Sequence, residues 1–163
     1  MNHQEAFQFT ASSLGMAITP SRIEVVKQQI ISNKVSWEKV VWVASNEMVM
    51  PALHLQYRLH GMDHLLPLSL RDYFENVYQL NTKRNERILS QAIELNELLG
   101  KRGIHPIFLK GVACIADGVY YSIGERMIGD IDFLVSDDEF LKNGKNPPKC
   151  RICLQSPISK RRP

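Results

Sequence analysis

The most informative stretch of the sequence is Asp130-Ile131-Asp132-Phe133-Leu134-Val135, in which two carboxylates begin an apolar run. Its β-branched and aromatic content predicts a buried strand. Because side chains alternate between the two faces of a strand, Asp130 and Asp132 are expected to share one face. The apolar run at residues 105–109 predicts an earlier strand, and residues 111–119 predict a short helix between the two. This order of strand, helix, loop and strand is typical of the start of an α/β domain.

The first hundred residues predict helices and no strands. Apolar residues recur at spacings of three and four from Ser21, and Ser36 is placed to cap the next helix. Pro51 suits the first turn of another helix, which Gly61 would end. After Pro67, one apolar stripe predicts a long helix that ends near its last member. The stripe consists of Leu70, Phe74, Val77, Leu80, Ile88, Ala92, Leu95 and Leu99.

Charge is divided unevenly along the 163-residue chain. Residues 142–163 hold seven lysines and arginines and no acidic residue, which leaves 13 basic against 17 acidic residues in the rest. The net charge of the chain, +3, is therefore positive only because of this tail, and it is no argument for nucleic-acid binding by the whole protein. The tail has neither helical nor strand periodicity, so we expect it to be disordered. We hypothesise that it is a frameshifted or foreign replacement for the rest of a domain.

The sequence predicts no membrane association. A spanning helix needs about 20 apolar residues, and the longest apolar runs are far shorter, such as residues 40–44. The first five residues carry no basic segment and lead into no apolar one, so a signal peptide is not expected. We therefore expect a cytoplasmic location.

The two carboxylates could serve a hard cation. Two residues apart on a strand, their α-carbons are separated by about 7 Å, and Mg²⁺ is commonly held by one or two carboxylates plus substrate phosphates. Lys110 would add a point charge beside them, and Gly111 would let the backbone approach an anion. Two solvated acids at the end of a strand are the simpler alternative for Asp130 and Asp132.

Three motifs in sequence order point to a family. They are Phe108-Leu109-Lys110-Gly111, Tyr120-Tyr121 and the run from Arg126 to Val135. Together they resemble the uncharacterised bacterial nucleotidyltransferases of the DNA polymerase beta-like superfamily. The resemblance covers about residues 105–140, and the helical region before it is consistent in style.

The resemblance implies metal-dependent transfer of a nucleoside monophosphate from a nucleoside triphosphate to an acceptor. It implies that Asp130 and Asp132 are catalytic and bind Mg²⁺ or Mn²⁺. Lys110 and Gly111 would lie beside the phosphates of the nucleotide, and Arg126 would stabilise the loop or the triphosphate charge. The acceptor stays open, because protein, small molecule and RNA are all compatible with the resemblance.

The sequence departs from this family at one point. Members of the superfamily usually carry a third carboxylate on a later strand, whereas no later strand is predicted here. Asp137, Asp138 and Glu139 follow the second strand on a predicted helix and are poor substitutes. We therefore expect a truncated domain whose activity is impaired. The alternative is a non-catalytic remnant or a helical protein-interaction module.

The sequence thus predicts an α+β protein with three parts. A helical domain is expected at residues 1–100 and a partial nucleotidyltransferase core at 101–141, with a small mixed sheet. A basic, disordered tail is expected at 142–163. An unfinished sheet would expose an edge, which makes self-association possible.

Overall fold

The structure is a computed structural model that describes residues 1–17 and 19–136. This part of the chain is mostly helical and contains two short strands, which confirms the predicted α+β class. The elements are α1 (His3–Leu14), α2 (Ser21–Ile31), α3 (Trp37–Asn46), α4 (Met50–Leu59), α5 (Leu68–Gly100), β1 (Ile107–Phe108), α6 (Lys110–Ala116) and β2 (Phe133–Leu134). Among the described residues, no helix is both long and apolar enough to cross a membrane.

The helix boundaries follow local signals in the sequence. Asn2 caps α1 by accepting a hydrogen bond from the Glu5 backbone, while the Glu5 carboxylate accepts one from the Asn2 backbone. The predicted starts of α2 at Ser21 and of α4 around Pro51 are confirmed. Ser36 precedes α3 as predicted, but its side chain makes no capping hydrogen bond.

Contacts within the chain define two compact units. The first contains residues of Met1–Arg84 and Ser122–Met127, and the second contains Asn85–Tyr121 and the described residues from Ile128 to Ser136. The boundary therefore falls inside α5. The predicted division at residue 100 stays a prediction, and the predicted tail lies outside the described residues, as does the helix expected after Ser136.

The core of the first unit is built around aromatic side chains. Tyr57 and Phe74 are both fully buried and stack with ring centroids 6.4 Å apart. Trp37 packs edge-on against Tyr57 at 6.3 Å. The Tyr57 hydroxyl donates a hydrogen bond to Ser13 Oγ, and burial raises the pKa of this hydroxyl. This core joins α1 and α2 to the helices that follow.

A short loop packs against α5 within the first unit. Asn81 is buried, and its side-chain amide donates hydrogen bonds to the carbonyls of Gly124 (2.8 Å) and Arg126 (3.0 Å). The Tyr78 hydroxyl lies 2.5 Å from Ser122 Oγ. A Cβ at Gly124 would meet the Tyr78 ring at 3.0 Å, so a larger residue does not fit there without a shift. These contacts hold the segment 122–127 in place.

The second unit contains the sheet. The two strands are antiparallel, with Ile107 opposite Leu134 and Phe108 opposite Phe133. Both phenylalanines pack against buried residues of α5, and Phe108 also packs against the cluster that contains Val112 of α6, whereas Ile107 and Leu134 are exposed. In the described residues the sheet has these two antiparallel strands, where the sequence predicted a small mixed sheet.

Two details of the sequence prediction are wrong. Each strand has two residues, fewer than predicted, and Pro106 offers no N–H to lengthen the first. One further backbone hydrogen bond joins the two segments beyond the strands, from Leu109 N–H to the Asp132 carbonyl at 2.9 Å. Leu80 was expected on the buried stripe of α5, but 59% of it is exposed.

A buried histidine lies beside a carboxylate in the first unit. His54 is buried, and its Nε2 is 2.9 Å from Glu75 Oε2, which also lies 3.3 Å from Arg58 Nη1. Burial lowers the pKa of His54, although the Glu75 carboxylate opposes this effect. A hydrogen bond from Gln79 lowers the pKa of Glu75, with further contributions from His54 and Arg58.

We expect the free energy of unfolding to fall as the pH is lowered from 7.5 to 5.5. Because the pKa of His54 is below 6.5 in the folded protein, the unfolded chain takes up a proton first. The contribution of neutral His54 to the free energy of unfolding is therefore fully present above about pH 6.5. Below that pH it declines by at most about 1.4 kcal/mol per pH unit, the limit for uptake of one proton. Urea denaturation at pH 7.5, 6.5 and 5.5 measures this slope. His54→Gln should flatten it, and an unchanged slope in that variant would contradict the assignment to His54.

Candidate functional site

The candidate site lies at one end of the strand pair. Lys110 follows β1 after one residue and begins α6, while Asp132 immediately precedes β2. A backbone hydrogen bond from Leu109 N–H to the Asp132 carbonyl places these two segments side by side. As a result, Lys110 Nζ lies 3.0 Å from Asp132 Oδ2.

The two side chains of this ion pair differ in exposure. The Lys110 side chain is 70% exposed, and the Asp132 side chain is 31% exposed. The hydrogen bond with Asp132 raises the pKa of Lys110, and the charges of Asp132 and Asp130 act in the same direction. The ammonium is therefore held in its charged form by both carboxylates that the sequence singled out. Asp130 itself is exposed to solvent.

The backbone at Lys110 is unusual. Its φ is +52°, in the left-handed region that non-glycine residues seldom occupy. Such conformations cost energy and cluster at functional sites, where the surrounding structure holds them in place. The turn between β1 and α6 thus carries a lysine where a glycine would be easier to accommodate.

Gly111 has a packing role that the sequence did not reveal. It is buried, and a Cβ built there would meet Ile128 Cγ1 at 3.1 Å and Cγ2 at 3.2 Å. These distances are tighter than ordinary contacts, so Ile128 would have to shift to admit a side chain. Glycine at this position is therefore explained by packing, and its predicted role beside a phosphate stays a prediction.

Arg126 belongs to the other unit. It lies in the segment 122–127, where its carbonyl accepts the hydrogen bond from Asn81. The structure thus places Lys110, Gly111, Asp130 and Asp132 in the second unit and Arg126 in the first. The contact of Arg126 with a triphosphate stays a prediction.

The donor set suits a hard divalent cation. Asp130 and Asp132 offer carboxylate oxygens, the ligands that Mg²⁺ prefers. Within residues 1–17 and 19–136, no three His, Cys, Asp or Glu side chains lie close enough to hold a metal together. The described chain would therefore supply at most two side-chain ligands, and substrate phosphates and water would complete the shell, as is common for Mg²⁺. Asp137, Asp138 and Glu139 lie outside the described residues.

The contact between Lys110 and Asp132 could not be found from the sequence. Both residues were singled out, but 21 residues separate them in the chain. The register of the two strands is what brings them together, and a long connection does not fix a register as a tight turn does. The alternation of side chains along a strand predicts which residues lie on the same side of the sheet. It does not predict which residue of the neighbouring strand lies opposite each of them.

Comparison with known proteins identifies the family. A family described as "Uncharacterised nucleotidyltransferase" matches residues 33–144, about two thirds of the chain. Neither the curated proteins nor the solved structures that were compared gave a match. The matched segment includes all five predicted site residues, among them Lys110, Asp130 and Asp132. The chain therefore belongs to this family of uncharacterised nucleotidyltransferases.

Proposed function

We propose that the second unit carries a metal-dependent site that transfers a nucleoside monophosphate from a nucleoside triphosphate to an acceptor. The observation that supports this proposal most is the contact of Lys110 Nζ with Asp132 Oδ2 at 3.0 Å, where the charge of Asp130 also acts on the lysine. Two carboxylates for a cation and one ammonium for a phosphate are the charges that such a reaction requires. We also propose that the family is part of the DNA polymerase beta-like superfamily.

Each residue has a proposed role. Asp130 and Asp132 would hold Mg²⁺ or Mn²⁺, and the bound cation would neutralise charge on the phosphates and orient them. Lys110 would contact the phosphate oxygens as a point charge, since its side chain is exposed enough to reach a ligand. The Gly111 backbone would lie beside the phosphates, and Arg126 would stabilise the loop or the triphosphate charge.

The acceptor is a protein, a small molecule or an RNA. A nucleoside triphosphate substrate suits the cytoplasmic location expected from the sequence. Self-association is a further expectation for this protein. The exposed Ile107 and Leu134, on the open face of the strand pair, support it because exposed apolar side chains favour association.

Transfer of label from α-³²P nucleoside triphosphates tests the proposal directly. The purified chain is incubated with each of the four nucleotides and Mg²⁺ or Mn²⁺, in the presence of separated protein, small-molecule and RNA fractions of a cell extract. We expect label to appear in one fraction, and we expect it to be lost with a chelator and in Asp130→Asn/Asp132→Asn. The matched control is Asp117→Asn, an exposed aspartate at the end of α6.

A second candidate function is a non-catalytic binding module. It is favoured by the finding that the described residues offer two carboxylates at the site and no group of three ligands. If a chain that circular dichroism shows to be folded labels none of the three fractions, this second function is supported and the transferase proposal is wrong for this chain.

A further inference from the structure

We infer that Lys110 is a tethered counter-ion that couples the binding of the divalent cation to the binding of the triphosphate. This inference rests on the proposed function, because it concerns the same site. It adds a regulatory contact: the ammonium and the divalent cation compete for Asp132, and the nucleotide decides which of them occupies it.

The competition follows from the geometry. Lys110 Nζ lies 3.0 Å from Asp132 Oδ2, a distance at which the ammonium takes a place on the carboxylate that a cation would need. Two positive ions on one carboxylate repel each other, so a divalent cation has to displace the ammonium or share the oxygens with it. A cation offered alone is therefore bound weakly.

The nucleotide faces the opposite difficulty. Without a cation, the negatively charged triphosphate meets two carboxylates that repel it, at Asp130 and Asp132, and Lys110 is already paired with Asp132. The Lys110 side chain is 70% exposed, so it can leave Asp132 for a phosphate without crossing a packed core. When it does so, it gains a charge-assisted contact with phosphate and opens the carboxylate to the cation.

Cation and triphosphate should therefore bind cooperatively. Each ligand removes the obstacle to the other, and by linkage the factor by which nucleotide raises cation affinity equals the factor by which cation raises nucleotide affinity. Lys110 contributes to that factor because it moves between the two ligands. The left-handed backbone at Lys110 fits this view, since a residue kept in a costly conformation suggests that its side chain is needed there.

The test uses Lys110→Gly in the full chain. Glycine adopts a φ of +52° without strain, so this variant removes the charge and leaves the turn intact. Calorimetry with Mn²⁺ alone should show affinity about two- to fivefold tighter than in the unchanged protein, because the competing charge is gone. Nucleotide with saturating Mn²⁺ should bind about tenfold more weakly, and the cooperativity between the two should fall.

Three further variants make the outcome decisive. Lys110→Arg keeps the charge and should keep the cooperativity, whereas Lys101→Gly, an exposed lysine of the same unit, should change neither affinity. Lys110→Asn also tolerates a left-handed backbone and replaces the glycine variant if that one does not fold.

The results distinguish failure of the inference from failure of the proposed function. If Mn²⁺ binds Lys110→Gly no more tightly than the unchanged protein, while Asp132→Asn abolishes Mn²⁺ binding, the counter-ion inference is wrong and the proposed site stands. If the unchanged protein binds neither Mn²⁺ nor any nucleotide, the proposed function and the inference both fail.

Discussion

Replacing Asp132 with asparagine is expected to weaken Mg²⁺-dependent nucleotide binding by at least about 100-fold, since the loss of a residue that only supports a metal ligand already costs about 10- to 100-fold. The variant keeps the shape of the side chain and removes the charge that would hold the cation. Asp132 is the carboxylate in direct contact with Lys110, so the same change also frees that lysine. Nucleotide without Mg²⁺ should therefore bind at least as tightly to the variant as to the unchanged protein.

Calorimetry with ATP, GTP, CTP and UTP, each with and without Mg²⁺, measures both effects. Asp117→Asn removes an exposed carboxylate of the same unit and should leave the affinities unchanged. An Asp132→Asn protein that still binds a nucleotide better with Mg²⁺ than without it would show that the cation site lies elsewhere. Circular dichroism of both variants ensures that lost binding is not lost folding.

Replacing Phe74 with alanine is expected to lower the free energy of unfolding by about 3–5 kcal/mol. Phe74 is fully buried in the core of the first unit, where its ring stacks on Tyr57. Removing the ring leaves a cavity, and the bulky aromatic side chains around it cannot easily rearrange to fill that cavity. The measurement is urea denaturation followed by tryptophan fluorescence, since Trp37 packs against Tyr57 in the same core.

The neighbouring Tyr73 provides a matched control for this experiment. Tyr73 is 46% exposed, so Tyr73→Ala should cost less than about 1 kcal/mol. Equal losses for the two variants would contradict the placement of Phe74 at the centre of the core. The two aromatic residues are adjacent in sequence, so only their position on the helix face distinguishes them.

Most helices could be predicted from the sequence because their signals are local. The spacing of apolar residues and the placement of Ser21, Pro51 and Pro67 fix the starts of α2, α4 and α5 within a residue or two. Leu80 shows where that reasoning ends. It continues the apolar stripe of α5, but a stripe cannot show how far a neighbouring core extends along a long helix.

The geometry of the candidate site could not be predicted from the sequence, because it is not local. The sequence singled out Lys110, Asp130 and Asp132 as chemically active types, but it could not place the lysine on one particular carboxylate. That contact depends on strand register and on the left-handed backbone of Lys110. Neither can be predicted from the residues of the turn, since non-glycine residues such as lysine seldom have a positive φ.

The core of the first unit extends across residue 33, where the match to the family begins. Phe9, Met16, Val26 and Ile30 come before that residue, and they share this core with Val40, Leu53, Tyr57 and Phe74. A polypeptide cut at residue 33 would therefore present a large apolar surface to water, which favours aggregation. The segment that matches the family is thus shorter than the segment that shares this core, and the first two helices contribute buried residues to it.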